Sequence, residues 1–255
     1  MKNAIIKKLY FSPVKSLSFS KKEKLKIKKN IGIKNDRIFA FTRIISENEA
    51  NSYEKNPNKR NLNFFLTLKN SPFLNKYNFE YGEDHLSFLC EKNLIKKISL
   101  KNNKNLKIIY NEIKKCEPSI NYSLHLIKNF DFPFFDTMPK NSISLINMNS
   151  IKDFEKKINH KIDHERFRGN IYIENVDPWN EFKWINKTIS VNNCLFKVLK
   201  KIPRCSATNL MLNSDKVDIN IPKKLRQIFG HIDLGVYLKP LTDGMININD
   251  KIKLF

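Results

Sequence analysis

Short stretches in which apolar and polar residues alternate recur along the whole chain, a pattern typical of β-strands. The strand-like stretches are 4–11, 24–27, 36–42, 79–81, 86–90, 96–100, 106–110, 142–146, 171–174, 189–191, 195–199, 234–240, 245–248 and 250–255. Helical spacing of apolar residues marks 149–158, where Ser150 is the expected N-cap, and a short segment at 222–228. The pattern predicts a mainly β chain with a few short helices.

The spacing of these stretches also predicts how the chain divides into domains. In the first half, the strands follow one another about ten residues apart, which is typical of a small barrel or sandwich. The polar segment 46–63 is predicted to be a surface loop. The charge-mixed segment 111–122 reads as a boundary, so two domains are expected, 1–115 and 116–255.

Composition adds a strong positive charge to a globular chain. The 255 residues are 41% hydrophobic and 11% aromatic, and the formal net charge is +22. Such a charge raises the hypothesis of a basic nucleic-acid-binding β-barrel. The basic residues are nearly all Lys, however, spread from end to end beside abundant Asn and Ile, which indicates a coding bias. We therefore expect nucleic acid not to be the main partner, while an anionic ligand is favoured.

Cysteine usage and apolar run lengths indicate the compartment. The four cysteines form no C-x-x-C pair, so neither a zinc site nor a disulfide framework is predicted. The basic N-terminus does not resemble a signal peptide, and no apolar run is long enough to span a bilayer. A cytoplasmic protein without a membrane partner is the expectation.

Cys205 is the residue with the strongest chemical potential. It follows the strand-like run 189–199 and lies beside Arg204. A thiol at a strand end next to a guanidinium is placed to ionise, and thiolate is the form that attacks sulfur or binds soft metals. Arg204 lowers the thiol pKa only if its guanidinium turns toward it. The alternative is an isolated cysteine acting as a small buried hydrophobe.

Several separated segments, in order, resemble one protein family. S-P-V-K-S-L at 12–17 and D-R at 36–37 resemble the MOSC N-terminal β-barrel domain. The similarity to the MOSC domain proper lies in four segments: 166–170, 179–184, 203–208 and 229–237. Residues 243–250 resemble the closing strand pair of that domain. Two departures stand out: Gly169 occupies the position of the family's proline in R-F-R-P-N, and the family's Gln-Arg pair has no clear counterpart among 59–66.

The resemblance implies two β-barrel-type domains that bind molybdenum cofactor, that is, molybdenum held by molybdopterin. It implies that Cys205 is the catalytic residue and the molybdenum ligand, or that it carries sulfur. The implied cofactor-binding residues are Lys15, Ser16, Arg37, Arg166, Arg168, Asn170, Arg204 and Thr208. The first three suit a pterin phosphate. Arg166, Arg168 and Asn170 are expected to alternate along one strand and so to face one side.

The family includes the C-terminal domain of molybdenum cofactor sulfurase, the mitochondrial amidoxime-reducing proteins and YcbX-like bacterial relatives. The resemblance implies a molybdenum-dependent oxidoreductase that reduces N-oxygenated or similar small substrates with electrons from a separate donor protein. The alternative is a sulfur carrier that receives a persulfide on Cys205 from a cysteine desulfurase. The aminotransferase-like desulfurase domain of full sulfurases has no counterpart among these segments, so any link to pyridoxal phosphate is a family label only.

Overall fold

A computed structural model of the protein describes residues 4–17, 19–82, 84–101, 104–135 and 142–255. These residues form 16 strands: β1 (Ala4–Phe11), β2 (Ser20–Lys22), β3 (Lys24–Lys28), β4 (Gly32–Ile33), β5 (Phe39–Arg43), β6 (Tyr77–Tyr81), β7 (His85–Cys90), β8 (Asn93–Ser99), β9 (Leu124–Lys128), β10 (Ile143–Asn147), β11 (Ile171–Glu174), β12 (Thr188–Val191), β13 (Cys194–Pro203), β14 (Asp233–Pro240), β15 (Gly244–Asn247) and β16 (Lys251–Leu254). They also form four α-helices: α1 (Glu47–Lys55), α2 (Lys104–Cys116), α3 (Met148–Ile158) and α4 (Ile221–Phe229). The predicted mainly β fold is confirmed.

The chain folds as two compact units, and neither is continuous in sequence. Unit 1 contains the described residues of 1–11, 20–34 and 137–255, and unit 2 contains those of 12–19 and 35–136. The first strands therefore belong with the C-terminal half of the chain. The division of the sequence into domains 1–115 and 116–255 stays a prediction.

Unit 1 is built on a closed barrel of seven strands. Their order is β1, β11, β10, β14, β13, β12 and β16, and β16 returns to β1. β10 and β11 run parallel, whereas the other neighbouring pairs are antiparallel. Alternate side chains of β13 and β14 are fully buried, among them Val198, Val236 and Leu238. This buried face fixes the register as far as Val198, and the register then shifts twice before β13 ends at Pro203.

Unit 2 combines short antiparallel sheets with two helices. β5 pairs with β9, and β6, β7 and β8 form a three-stranded sheet. The strands predicted at 79–81, 86–90 and 96–100 are confirmed by this sheet. Helices α1 and α2 both pack beside β9. A cluster of buried residues covers one side of the β5–β9 pair: Ala40, Ile45, Ala50, Phe65, Ile127 and Phe134.

The prediction of a surface loop at 46–63 is wrong for the first half of this segment, because α1 lies there. Ser46 and Glu49 form a capping box: the Ser46 side chain accepts from the Glu49 amide, and the Glu49 side chain accepts from the Ser46 amide. Ala50 is the buried residue of the helix. A helix that buries so little is polar almost all round, so it shows little apolar periodicity.

The prediction of a strand at 106–110 is also wrong, because these residues lie inside α2. The apolar residues that produced the prediction follow helical spacing instead: Ile109 and Ile113 are buried, whereas Ile108 is exposed. The helix continues to Cys116, through half of the segment expected to be a domain boundary.

The helix predicted at 149–158 is confirmed as α3, but its N-cap is Asn147 and not Ser150. The Asn147 side chain accepts a hydrogen bond from the Asn149 amide. Ser150 is buried and donates to Glu181 at 2.8 Å. Burial raises the pKa of Glu181, although the hydrogen bonds that it accepts act against this rise.

Candidate functional site

Cys205 lies two residues beyond the end of β13 and precedes a single 3₁₀ turn, Ser206–Asn209. Its backbone is extended, with φ −114° and ψ 175°. The Cys205 carbonyl accepts from the Thr208 amide at 3.1 Å and from Thr208 Oγ1 at 2.8 Å. Thr208, a predicted cofactor-binding residue, is buried and closes this turn. The turn fixes the backbone of Cys205.

The thiol of Cys205 is exposed, which separates it from the other three cysteines. Cys194 is buried, and burial raises the pKa of its thiol to about 11. Cys90 and Cys116 are half-buried. The alternative that Cys205 is a small buried hydrophobe is therefore wrong.

Arg204 is buried, and its guanidinium is committed to main-chain carbonyls. Nε donates to Leu234 O at 2.9 Å, Nη2 donates to the same oxygen, and Nη1 donates to Phe167 O at 3.0 Å. The Arg204 amide also donates to Ile232 O at 2.8 Å. Arg204 thus links the end of β13 to β14 and to the turn that contains Phe167. These contacts hold the backbone beside Cys205 in place.

Arg166 lies in the 3₁₀ turn His164–Phe167, which packs against the turn that follows Cys205. Only 3% of its side chain is exposed. Nη2 donates to Asp218 Oδ1 at 2.8 Å, whereas the buried Nε and Nη1 have no hydrogen-bond partner among the residues that the structure describes. Buried guanidinium donors in native proteins are normally paired, so two unpaired donors indicate a place for an acceptor from a ligand.

Asp218 holds the guanidinium of Arg166 in position. Its second oxygen lies 3.4 Å from His160 Nε2. Burial acts to raise the pKa of the Asp218 carboxyl, but the ion pair with Arg166 and the hydrogen bond from His160 outweigh it and lower the pKa. Asp218 is therefore ionised at neutral pH and fixes one edge of the arginine.

Arg166, Arg168 and Asn170 do not alternate along a strand, so this prediction is wrong. Arg168 follows the 3₁₀ turn in a left-handed conformation, with φ 51°. The Asn170 side chain is buried and accepts from the amide and hydroxyl of Ser144 at 3.2 and 3.0 Å. The turn therefore separates the three side chains, and Asn170 links β10 to the residue before β11.

Gly169 has a structural reason to replace the proline of the similar family motif. A Cβ at this position would lie 2.5 Å from Ile146 Cδ1 and 3.1 Å from Tyr172 Cζ. The Gly169 amide also donates to the Tyr172 hydroxyl at 3.0 Å. A proline would add the carbon atoms and remove this donor.

Lys15, Ser16 and Arg37 lie in unit 2, whereas the other six predicted residues lie in unit 1. Ser16 and Arg37 both have left-handed backbones, with φ 64° and 54°. Arg37 forms an ion pair with buried Asp36. Lys15 is 3% exposed, and burial lowers the pKa of its amine to about 7, with the charges of Arg37 and Arg60 acting in the same direction.

Arg60 is a residue of this group that the sequence reasoning missed. It is half-buried, follows the 3₁₀ turn Pro57–Lys59, and lies close enough to Lys15 to lower the pKa of its amine. It lies within 59–66, where no counterpart of the family's Gln-Arg pair was clear. A signal was available: the chain has only seven arginines among its 47 basic residues, so each arginine departs from the lysine bias.

His231 belongs to an aromatic cluster near the start of β14. Its Nδ1 accepts from the Asp233 amide at 3.1 Å, and its ring lies within 6.0 Å of Trp179, Phe182 and Phe229. Burial lowers the pKa of the imidazole. These contacts favour a structural histidine.

The profile of the MOSC domain family matches residues 134–253. The chain contains a MOSC domain. The matched segment includes Cys205 and the five other predicted residues of unit 1, and it leaves out Lys15, Ser16 and Arg37. The predicted resemblance to MOSC proteins is thus confirmed for this segment. MOSC domains are associated with binding molybdenum cofactor or with carrying sulfur.

Two solved structures are similar to the chain at low sequence identity. The YuaD protein from Bacillus subtilis has 12% identity and a TM-score of 0.46, covering 99% of this chain and 95% of its own. YiiM from Geobacillus stearothermophilus has 16% identity and a TM-score of 0.36, covering 44% of this chain and 53% of its own. No protein of curated function matches the chain. Among the described residues, none of the helices has both the length and the apolar character needed to cross a membrane.

Proposed function

We propose that this protein binds molybdenum cofactor and that Cys205 provides the ligand to molybdenum. The observation that carries the proposal is the exposed Cys205 thiol at the end of a MOSC barrel strand, with the unpaired donors of Arg166 in the neighbouring turn. Thiolate is a soft ligand of the kind that such a metal accepts. Arg166 Nε and Nη1 would donate to an anionic or carbonyl oxygen of the cofactor.

Within unit 2, Lys15, Ser16 and Arg37 would hold a phosphate group. A buried ammonium and a guanidinium suit a phosphate, since one gives a point charge and the other a planar pair of donors. Arg37 keeps its orientation through its ion pair with Asp36, whose other oxygen accepts from the Ser12 amide at 2.7 Å. Arg204 and Thr208 would act indirectly, by holding the backbone around Cys205.

Bound molybdenum cofactor supplies two-electron oxygen-atom transfer, and we propose that it serves here to reduce N-oxygenated or similar small substrates. The electrons would come from a separate donor protein, because the four cysteines lack the spacing of an iron-sulfur cluster. The chain's own part would be to bind the cofactor, to keep its anionic groups paired with cations, and to leave the face of Cys205 open to a substrate.

The test is the molybdenum and pterin content of the protein purified from a host that makes the cofactor. We expect molybdenum near one per chain in the wild type and its loss in Cys205→Ala, since the substitution removes the ligand atom. Cys90→Ala, which removes a half-buried thiol in unit 2, is the control and should keep the metal. Full molybdenum in Cys205→Ala would contradict the ligand role.

The exposure of the Cys205 thiol also favours a second candidate, a sulfur carrier. A carrier must accept sulfur from a cysteine desulfurase and pass it on, so its thiol has to be reachable by another protein. Mass spectrometry after incubation with a desulfurase and cysteine separates the two functions. A persulfide on Cys205 in protein that holds neither molybdenum nor pterin would favour the carrier.

A further inference from the structure

Three cationic side chains of unit 2 converge on one short segment, Phe132–Phe135. Lys15 Nζ lies 3.5 Å from Phe134 O. The Arg37 carbonyl accepts from the Phe134 amide at 2.8 Å, and the Arg37 guanidinium lies 5.5 Å from the centre of the Phe135 ring. The Arg60 guanidinium lies 4.0 Å from the centre of the Phe134 ring. The segment thus brings together cations from three separate parts of the chain.

Two nitrogen atoms of the Arg60 guanidinium donate hydrogen bonds to main-chain carbonyls, and the third is buried without a partner among the described residues. Its Nε donates to Tyr53 O at 3.0 Å, and its Nη1 donates to Phe132 O at 2.8 Å and Pro133 O at 3.2 Å. Nη2 is buried and has no hydrogen-bond partner within the described ranges. Buried guanidinium donors in native proteins are normally paired, so the unpaired Nη2 indicates a place for an acceptor from a ligand.

The charges of the group favour an anion. Burial lowers the pKa of the Lys15 amine to about 7, and the charges of Arg37 and Arg60 act in the same direction. Burial also lowers the pKa of the Arg60 guanidinium, to about 10. An anion beside these groups would stabilise their charged forms and raise both pKa values toward normal.

We propose that Arg60 is the third cation of the phosphate site, donating its Nη2 to the phosphate group that Lys15 and Arg37 bind. The inference rests on the proposed function and adds a residue to it. Phosphate suits the site better than a carboxylate, because its several oxygens accept donors from different directions at once. Cofactor phosphate and free inorganic phosphate share this chemistry, so inorganic phosphate serves as the probe.

The experiment measures binding of inorganic phosphate to the full-length chain by calorimetry, with thermal melting to check the fold of each variant. Arg60→Gln removes the charge, and we expect it to weaken phosphate binding roughly tenfold or more. Arg43→Gln is the matched control, since Arg43 also lies in unit 2, has a buried Nε without a hydrogen-bond partner among the described residues, and lies over an aromatic ring, Tyr122, at 5.1 Å. It should bind phosphate within about twofold of the wild type, as expected for an arginine outside the site.

Arg60→Lys keeps the charge and is the second variant to measure if Arg60→Gln unfolds. We expect it to bind phosphate more weakly than the wild type, because lysine has no planar pair of donors. Wild-type affinity in either folded Arg60 variant overturns the inference. If Lys15→Met loses phosphate while the Arg60 variants keep it, only the role of Arg60 fails. If the wild type binds no phosphate, or Lys15→Met leaves binding unchanged, the proposed phosphate site fails with it.

Discussion

Lys15 destabilises the folded chain because its ammonium is buried. Burial, together with the charges of Arg37 and Arg60, lowers the pKa of its amine to about 7. The pKa of a lysine in the unfolded chain is about 10.4. Between these two values the unfolded state binds more protons, so the contribution of Lys15 to stability rises with pH. Below about pH 7 both states are protonated, and the destabilisation is complete.

Lys15→Met should therefore raise the free energy of unfolding at pH 6 and progressively less toward pH 10. Each unit of pKa shift is worth about 1.4 kcal/mol, so the gain at pH 6 is on the order of 4 kcal/mol. Urea unfolding at pH 6, 8 and 10 in phosphate-free buffer measures it, with Lys69→Met, an exposed lysine of the same unit, as control. A gain that does not change with pH would show that the effect is one of packing and not of charge.

At the level of elements, the barrel strands were predictable and the turns that carry the site were not. The strand at 195–199 follows from alternation, because one face of β13 is buried. The strands at 171–174 and 189–191 are short apolar runs that are buried along most of their length. The exposed thiol was placed correctly because it follows such a strand. Arg166 was misplaced, since a 3₁₀ turn and a left-handed residue interrupt the extended backbone where alternation suggested a strand.

Helix α1 went unpredicted, although it helps to position Arg60. The Tyr53 carbonyl that accepts from Arg60 Nε belongs to its last turn. Most of its side chains are polar, so its hydrophobic pattern is weak, and the evidence for it lies in the Ser46–Glu49 capping box. Local hydrogen bonds at a helix start are therefore a better guide here than periodicity.

Ser46→Ala should weaken the start of α1, since it removes the oxygen that accepts from the Glu49 amide. The expected loss is about 1 kcal/mol in the free energy of unfolding. Because α1 carries the Tyr53 carbonyl, phosphate binding should weaken as well. Ser52→Ala lies within the same helix and should cause neither loss, because alanine favours helix interiors. Unchanged phosphate affinity in a destabilised Ser46→Ala variant would show that α1 does not position the phosphate site.

For the whole molecule, the net charge of +22 and the buried cations attract anions in ways that differ in their dependence on salt. Exposed lysines attract any polyanion, and their attraction falls steeply with salt because it depends on counterion release. Lys15 and Arg60 are screened less, since they are buried or half-buried. Salt therefore distinguishes a general positive field from the proposed phosphate site.

We expect the chain to bind duplex DNA at low salt and to bind it much more weakly near physiological salt, without preference for sequence. Non-specific affinities of this kind are about 10⁻⁴ to 10⁻⁶ M at physiological salt. Phosphate binding should fall much less over the same range, and Arg60→Gln should leave DNA binding nearly unchanged. A titration of both ligands between low and physiological salt measures this. Tight DNA binding that resists salt would instead favour the nucleic-acid-binding barrel, because it requires specific contacts that a general positive field does not provide.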